Sequence, residues 1–228
     1  MSTLYVVATP IGNLEDITVR AVRILKEVDL ILCEDTRHTK QLLTRYEIKT
    51  PTQSYHQHSS GGKVKTIVEM LESGKNLAMV SDAGTPGIND PGVLLVKELV
   101  TQMDGNINIV PIPGASAVIT ALCVSGFPSH EFSYLGFVPH KKGRQTIFQT
   151  IAQSETTTVF YESSHRIMKT LDALGSVLEP TRQLIVCREL TKLHETMYRG
   201  TCATVIESLK KTSTKGEFVI IIAPRSWG

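Results

Sequence analysis

The sequence predicts an α/β protein with two α/β domains, a mainly parallel first sheet and a mixed second sheet. From Leu4 to Pro111, short apolar runs alternate with amphipathic segments, a pattern typical of parallel strands covered by helices on both faces. In the second half, several strand-like runs follow one another without a helical segment, which favours a mixed sheet. Two prolines in Pro111-Ile112-Pro113-Gly114 stiffen the connection. The predicted domains are therefore residues 1–112 and 113–228, with a cleft between them.

Apolar spacing gives the elements of the first half. The apolar residues between Asp16 and Val28 recur at helical intervals and form one face. Gly74 stands where a helix ending at Glu72 would have its C-terminal cap. The predicted strands cover residues 4–8, 29–33, 51–55, 77–80 and 107–111, and the predicted helices cover 16–28, 36–46, 63–72 and 93 to about 103.

The second half shows the same kinds of pattern. An apolar helix is predicted directly after the proline-containing connection, over residues 115–125. The remaining predicted strands lie near 132–135, 157–161, 183–187, 197–200 and 217–223, and the remaining helices lie near 145–152, 165–174 and 201–210.

Composition excludes several classes of protein. Of the 228 residues, 41% are hydrophobic and 20% charged, as expected for a soluble globular chain. No apolar run approaches the ~20 residues that cross a bilayer, and the N-terminus lacks the features of a signal peptide. The four cysteines have no Cys-x-x-Cys spacing, so we expect reduced core thiols, no metal site and a cytoplasmic location.

Loops that follow the strands carry the candidate chemistry. The carboxyl ends of parallel strands meet at one edge of a sheet, where ligands bind in α/β folds. Small, proline and polar residues stand at four such ends, in the segments 8–13, 33–37, 81–92 and 111–116. None of them contains a dinucleotide fingerprint, a phosphate-binding P-loop or a Gly-x-Ser-x-Gly elbow. The pattern therefore predicts a ligand cleft but disfavours a dehydrogenase, an ATPase or a serine hydrolase.

Two basic clusters stand out although the net charge is only +2. One is His140-Lys141-Lys142-Gly143-Arg144, and the other contains Arg37-His38 with Lys40 and Arg45. Either cluster could contact phosphates, although basic loops are often just solvated surface.

Six segments in order resemble the tetrapyrrole methylase superfamily, and specifically its bacterial RNA branch. The segments are Ala8-Thr9-Pro10-Ile11-Gly12-Asn13-Leu14-Glu15-Asp16-Ile17, Cys33-Glu34-Asp35-Thr36-Arg37, Ser81-Asp82-Ala83-Gly84-Thr85-Pro86, Pro113-Gly114-Ala115-Ser116-Ala117, Gly136-Phe137-Val138-Pro139 and Tyr161-Glu162-Ser163-Ser164-His165-Arg166. Porphyrin-precursor members usually open with Gly-x-Gly-Pro-Gly, whereas Thr9-Pro10-Ile11-Gly12-Asn13 stands here.

The resemblance implies an enzyme that uses S-adenosylmethionine (SAM) as methyl donor. Its implied substrate is the ribose 2′-hydroxyl of a cytidine in the decoding region of small-subunit rRNA, and its implied assembly is a homodimer. The residues implied for the methionine end of SAM are Asp82, Ala83, Gly84 and Thr85, flanked by Ser116 and Ala117. Those implied for the adenosine are Ile11, Tyr161 and the strand containing Glu217.

An alcohol needs positioning and a nearby base to attack a methyl group. Our candidates for the acceptor side are Glu34 and Asp35, with Arg37 suited to orient a phosphate; His165 and Glu189 are further candidate bases, and Arg166 a second phosphate ligand. Structural roles stay open: Asp82 could close an Asx turn in its own loop, Ser116 could cap a helix, and a carboxylate beside an arginine is often a structural ion pair.

Two other classes of function stay open. A tetrapyrrole-precursor C-methyltransferase would methylate a porphyrin precursor and not ribosomal subunits. A non-catalytic nucleotide- or RNA-binding module on the same fold would bind SAM or RNA without methyl transfer.

Overall fold

The computed structural model describes residues 1–55, 61–90, 92–103 and 105–227, and the chain divides into two compact units, Met1–Ser116 and Ala117–Gly228. The predicted boundary after Ile112 differs by a few residues. Segment 113–116 groups with the first unit, since the Thr85 hydroxyl donates to the Ala115 carbonyl oxygen over 3.1 Å.

The first unit alternates strands and helices. In chain order they are β1 (Thr3–Val7), α1 (Val19–Glu27), β2 (Leu30–Cys33), α2 (Thr36–Arg45), β3 (Thr52–Ser54), α3 (Gly61–Glu72), β4 (Leu77–Met79), α4 (Gly92–Met103) and β5 (Asn108–Ile112). The strands lie in the order β3-β2-β4-β1-β5, and every neighbouring pair is parallel. The parallel first sheet predicted from the alternating pattern is confirmed.

Helix α1 is shorter than the predicted 16–28 because two caps divide that segment. The Asn13 side chain accepts a hydrogen bond from Glu15 N–H and caps a 3-10 turn at Leu14–Asp16. The Thr18 side chain then accepts from Ala21 N–H and starts α1 at Val19. Apolar periodicity continues across both pieces, so it located the buried face but not the break.

The second unit also contains both kinds of element. In chain order they are α5 (Ala117–Cys123), β6 (Phe132–Phe137), α6 (Arg144–Ala152), β7 (Thr157–Ser163), α7 (Ile167–Gly175), β8 (Leu184–Arg188), β9 (Thr196–Gly200), α8 (Cys202–Lys211) and β10 (Glu217–Ile222). The strand order is β6-β7-β10-β8-β9; β6 and β7 are parallel, and the other neighbours are antiparallel. The predicted mixed sheet is confirmed, and Phe148, Phe160 and Phe218 are fully buried in its core.

One cysteine departs from the prediction that all four are core thiols. Cys33, Cys187 and Cys202 are buried, but Cys123, the last residue of α5, is exposed. Burial raises the pKa of Cys187 and Cys202 to about 11, because the low-dielectric interior disfavours the thiolate.

Neither a membrane-spanning helix nor a metal-binding cluster is found among the residues that the structure describes. Among those residues, no helix has both the length and the apolar character needed to cross a bilayer. Within the same ranges, no cluster of three or more His, Cys, Asp or Glu side chains could hold a metal ion.

Candidate functional site

Loops at the carboxyl edge of the first sheet bring three acidic residues of the first unit into contact, namely Glu34, Asp35 and Asp82. The carboxylate of Glu34, just after β2, accepts a hydrogen bond from Asp82 N–H over 3.2 Å. The carboxylate of Asp82, after β4, accepts in turn from Asp35 N–H over 3.1 Å. β2 and β4 are parallel neighbours, so their ends emerge side by side. This reciprocal pair of bonds fixes the two loops against each other.

Asp35 has two structural roles. It is the N-cap of α2, and its carboxylate accepts from Arg37 N–H over 2.8 Å. The same carboxylate receives two bonds from the Arg37 guanidinium, at 3.2 and 2.8 Å. The Arg37 side chain and backbone hold the pKa of Asp35 well below its usual range, which makes Asp35 a weak proton acceptor. The structural alternative considered for Asp35 therefore matches the observed contacts.

Arg37 is largely exposed, with 90% of its side chain accessible. The pKa of its guanidinium is raised by the hydrogen bond to Asp35. Since Asp35 occupies one edge of the fork, a phosphate could approach only the remaining donors.

The loops after β1 and β4 also contact each other. Thr9 and Gly84 exchange backbone hydrogen bonds of 2.9 and 3.1 Å, forming an isolated antiparallel bridge. Gly84 has φ +83°, and a Cβ built on it would lie 3.3 Å from Ile11 Cγ2 and 3.6 Å from the Ala115 carbonyl oxygen. The predicted residues Ile11 and Gly84 are therefore neighbours, and glycine at position 84 allows the close approach.

Backbone donors in the same loop fit an anionic ligand. Gly84 N–H is bonded to Thr9 O and Asp82 N–H to Glu34. Within the part of the chain that the structure describes, the N–H groups of Ala83 and Thr85 donate to no protein acceptor. Ala83 is exposed and Thr85 is half-buried. The loop can therefore offer hydrogen bonds to a carboxylate such as that of an amino acid.

Sequence reasoning missed two residues that shape this edge. Thr9 is buried, and its hydroxyl donates to Ser81 O over 3.1 Å. The Asp90 carboxylate accepts from Gly87 N–H at 2.8 Å and from Gly92 N–H at 2.7 Å. The signal for Asp90 was present, since Asn-Asp-Pro-Gly before a helix is typical of a side chain that hydrogen-bonds its own loop.

A small cavity of about 10 Å³ lies beside Glu34. Its lining comes from the ends of β2 and β4 and the following loops, namely Leu32, Cys33, Glu34, Tyr55, Met79, Val80, Pro86, Asp90 and Gly92. This space suits at most about one water molecule, far below the ~300 Å³ of a small-molecule pocket. It is therefore too small for a cofactor.

In the second unit, the structure brings Tyr161 to the first turn of α5. The backbone of Val118, next to the predicted residue Ala117, lies close enough to the Tyr161 phenol to influence its pKa, and the Tyr161 ring packs edge-to-face on Tyr134 with centroids 5.4 Å apart. The Tyr161 ring also packs edge-to-face on Phe137, with centroids 5.4 Å apart. Burial raises the pKa of the phenol, so Tyr161 is neutral at physiological pH and suits a positioning role.

Glu217 lies near Tyr161 in the sheet, but its carboxylate binds elsewhere. Val219, not Glu217, is the register partner of Tyr161. The Glu217 carboxylate forms an ion pair of 2.7 Å with Lys192, which also bonds Glu189 at 3.1 Å. The remaining predicted residue, Ser116, is half-buried in the first unit.

The other candidates have different surroundings. His165 is exposed, whereas Arg166 binds the buried carboxylate of Glu162 at 3.0 Å. Glu189 accepts from Glu217 N–H at 2.8 Å and from Lys192. Arg166 and Glu189 are therefore held in internal contacts, which makes them poorer candidates for contact with the acceptor.

The sequence matches one known family over most of its length. Residues 3–206 match the family model described as Tetrapyrrole (Corrin/Porphyrin) Methylases. A Synechocystis protein named Ribosomal RNA small subunit methyltransferase I is 48% identical, with 98% of this chain and 79% of that protein covered. A Thermotoga maritima protein of the same name is 41% identical, with 98% of this chain and 99% of that protein covered.

Solved structures with the same fold have much lower sequence identity. The methyltransferase CobJ superposes with a TM-score of 0.71 at 18% identity, covering 98% of this chain and 95% of that one. A uroporphyrin-III C-methyltransferase from Thermus thermophilus, complexed with S-adenosylhomocysteine, gives 0.63 at 16% identity, with 98% and 97% covered. At this level of identity, these similarities show a shared fold.

Proposed function

Because the chain belongs to the tetrapyrrole methylase family, we propose that it is a SAM-dependent methyltransferase of small-subunit (16S) rRNA. The observation that carries this proposal is the 41–48% identity, over nearly the whole chain, to proteins named for that activity. The acceptor we propose is the ribose 2′-hydroxyl of a cytidine in the decoding region, and the reaction takes place in the cytoplasm.

The loop after β4 supports a role in holding the cofactor. The N–H groups of Ala83 and Thr85 suit the carboxylate of the methionine portion, and Asp82 supplies negative charge for its ammonium group. Ile11 packs beside Gly84 and offers an apolar surface. Bound SAM supplies an electrophilic methyl group on a sulfonium. The roles proposed for Ser116, Ala117, Tyr161 and Glu217 in binding SAM rest on the family resemblance of the sequence.

Glu34 is the better candidate base at the acceptor side. Asp35 caps α2 and is paired with Arg37, and its lowered pKa reduces its proton affinity. Glu34 is held by Asp82 N–H through one carboxylate oxygen, Oε1. We propose that the Glu34 carboxylate takes the hydroxyl proton as the methyl group moves from sulfur to oxygen, while Arg37 orients a neighbouring phosphate.

Methyl transfer can be measured directly. The full chain is incubated with tritiated SAM and small ribosomal subunits from cells lacking this activity, followed by mapping of ribose methylation. Label in a cytidine 2′-O-methyl group is expected. Label in a tetrapyrrole precursor and none in the subunit would favour the small-molecule alternative. SAM or RNA binding without transfer to either substrate would favour the non-catalytic module.

Replacing Gly84 by Ala is expected to weaken SAM binding about tenfold, or about 1.4 kcal/mol. The residue is held at φ +83°, and the added methyl would press on Ile11 Cγ2 at 3.3 Å. Calorimetry measures the SAM dissociation constant. Gly74→Ala is the matched control, since Gly74 has φ +88° with nothing within 4 Å of its Cβ position. Equal SAM affinity for both variants would mean that packing of this loop against Ile11 does not contribute to SAM binding.

We further propose a homodimer, and α4 offers a candidate face. Val93, Leu94 and Val100 on this helix are exposed, and contiguous exposed apolar side chains often mark interaction surfaces. Val100→Asp is expected to convert the dimer to monomer in sedimentation equilibrium. Val19→Asp, at an exposed position of α1, is the control that should leave the dimer intact. A dimer unchanged by Val100→Asp would place the interface elsewhere.

A further inference from the structure

A buried carboxylate in the second unit is shared by two arginines. Glu162 on β7 is 1% exposed. Its Oε1 lies 3.0 Å from Arg166 Nε, and its Oε2 lies 3.6 Å from an Arg144 guanidinium nitrogen. Oε2 also accepts from the Thr170 hydroxyl at 2.6 Å, and Oε1 from Ser163 N–H at 2.8 Å. Both carboxylate oxygens therefore have hydrogen-bond or ion-pair partners inside the unit.

The two arginines hold the start of the loop that joins β6 to α6. Arg144 donates to Pro139 O over 3.0 Å, and Arg166 donates to Val138 O. Arg144 also stacks on Phe148, with its guanidinium 4.9 Å from the ring centroid. Segment 139–143, here called the basic loop, is thus held at its start by these two bonds and is followed directly by Arg144, whose side chain belongs to the cluster around Glu162.

The basic loop presents cations without acidic neighbours in sequence. His140, Lys141 and Lys142 are exposed, and no Asp or Glu occurs between Glu131 and Glu155. Lys192 and Lys211, by contrast, are paired with glutamates. Across the residues that the structure describes, neither Lys141 nor Lys142 forms an ion pair. Both ammonium groups therefore remain available to an external anion.

We propose that the basic loop is a preorganised contact site for the phosphate backbone of the RNA substrate, with Lys141 and Lys142 as the phosphate ligands. The proposal rests on the proposed function. A polyanion fits because neutralising phosphates with lysines releases counterions, which supplies affinity without reading sequence. Anchoring by Arg144 and Arg166 lowers the conformational entropy lost when the loop binds. The two arginines are positioning residues here, and the lysines are the contacts.

The double variant Lys141→Ala/Lys142→Ala tests the site. Binding of the full chain to small ribosomal subunits, and separately to deproteinised small-subunit rRNA, is measured from about 50 to 200 mM salt. We expect affinity for both probes to fall about 10- to 50-fold at 0.1 M salt, and the slope of log K against log salt to shrink by about 1–2. SAM affinity should be unchanged, since the substitutions are confined to exposed side chains.

Lys210→Ala/Lys211→Ala is the matched control, because it removes the same charge from the exposed end of α8. Equal losses in both double variants would reduce the effect to net charge and overturn the proposal. An unchanged affinity of the Lys141/Lys142 variant would also overturn the proposal. A loss of affinity for subunits but not for bare rRNA would overturn it as well, because the loop would then contact a ribosomal protein. If binding to both RNA probes depends on Lys141 and Lys142 but the wild-type chain methylates neither probe, the proposed function is overturned and the loop site stands. A wild-type chain that binds neither probe would overturn the loop site.

Discussion

Replacing Glu34 by Gln is expected to lower kcat for methyl transfer to the small subunit about 100-fold or more, with SAM affinity within about threefold. Glutamine keeps the oxygen that accepts from Asp82 N–H, so the contact between the two loops survives. It removes the carboxylate that would take the hydroxyl proton. Single-turnover rates with tritiated SAM measure the chemical step separately from product release.

Asp35→Asn provides the comparison for this experiment. Asparagine is a good N-cap, so α2 should keep its start, while the charge opposite Arg37 is lost. We expect only a few-fold change in kcat. A loss of kcat for Asp35→Asn as large as that for Glu34→Gln would assign the role of base to Asp35. Full activity in both variants would mean that catalysis depends on positioning alone.

Glu162→Ala is expected to lower the free energy of unfolding by about 3–5 kcal/mol. Removing this carboxylate leaves two largely buried guanidinium groups, 15–16% exposed, without their counter-charge. It also removes the acceptor of the Thr170 hydroxyl, which lies at 2.6 Å. Urea unfolding followed by circular dichroism gives the difference, provided that the slope with denaturant is unchanged.

The matched control is Glu207→Ala on α8. Glu207 is also paired with a cation, Lys211 at 2.6 Å, but both side chains are about 70% exposed. Exposed pairs of this kind contribute only about 0.3–0.5 kcal/mol. Similar losses at the two positions would mean that burial does not set the energetic importance of Glu162.

The order of strands and helices could be predicted from sequence because burial imposes the periodicity on which the prediction rested. Leu77-Ala78-Met79 is fully buried in a parallel sheet, and its uniform apolar character was sufficient evidence for a strand. The starts of helices were harder to predict from the sequence. The 3-10 turn before α1 depends on the Asn13 and Thr18 side chains, which periodicity does not weigh. Cys123 illustrates the same limit, since apolar neighbours in sequence did not place it in the core.

The candidate site could be predicted only in part from the sequence. Parallel topology predicted that the loops after β2 and β4 would be neighbours, and Glu34 and Asp82 are in contact. The individual partners could not be predicted, because a carboxylate can bond to its own loop or to the next one without changing the pattern of residues. Asp82 was considered for a turn in its own loop but accepts from Asp35 N–H. The sharing of Glu162 by Arg144 and Arg166 likewise depends on side-chain geometry.

The reciprocal hydrogen bonds between Glu34, Asp35 and Asp82 have a thermodynamic consequence. If the loop after β4 holds the methyl donor and the loop after β2 faces the acceptor, neither loop can shift without disturbing a bond to the other. Donor and acceptor binding would then be linked, and any factor by which SAM tightens RNA binding must equal the factor by which RNA tightens SAM binding. Asp82→Ala removes the acceptor of Asp35 N–H but keeps the backbone bond to Glu34, so it should lower that factor toward one even where both ligands still bind.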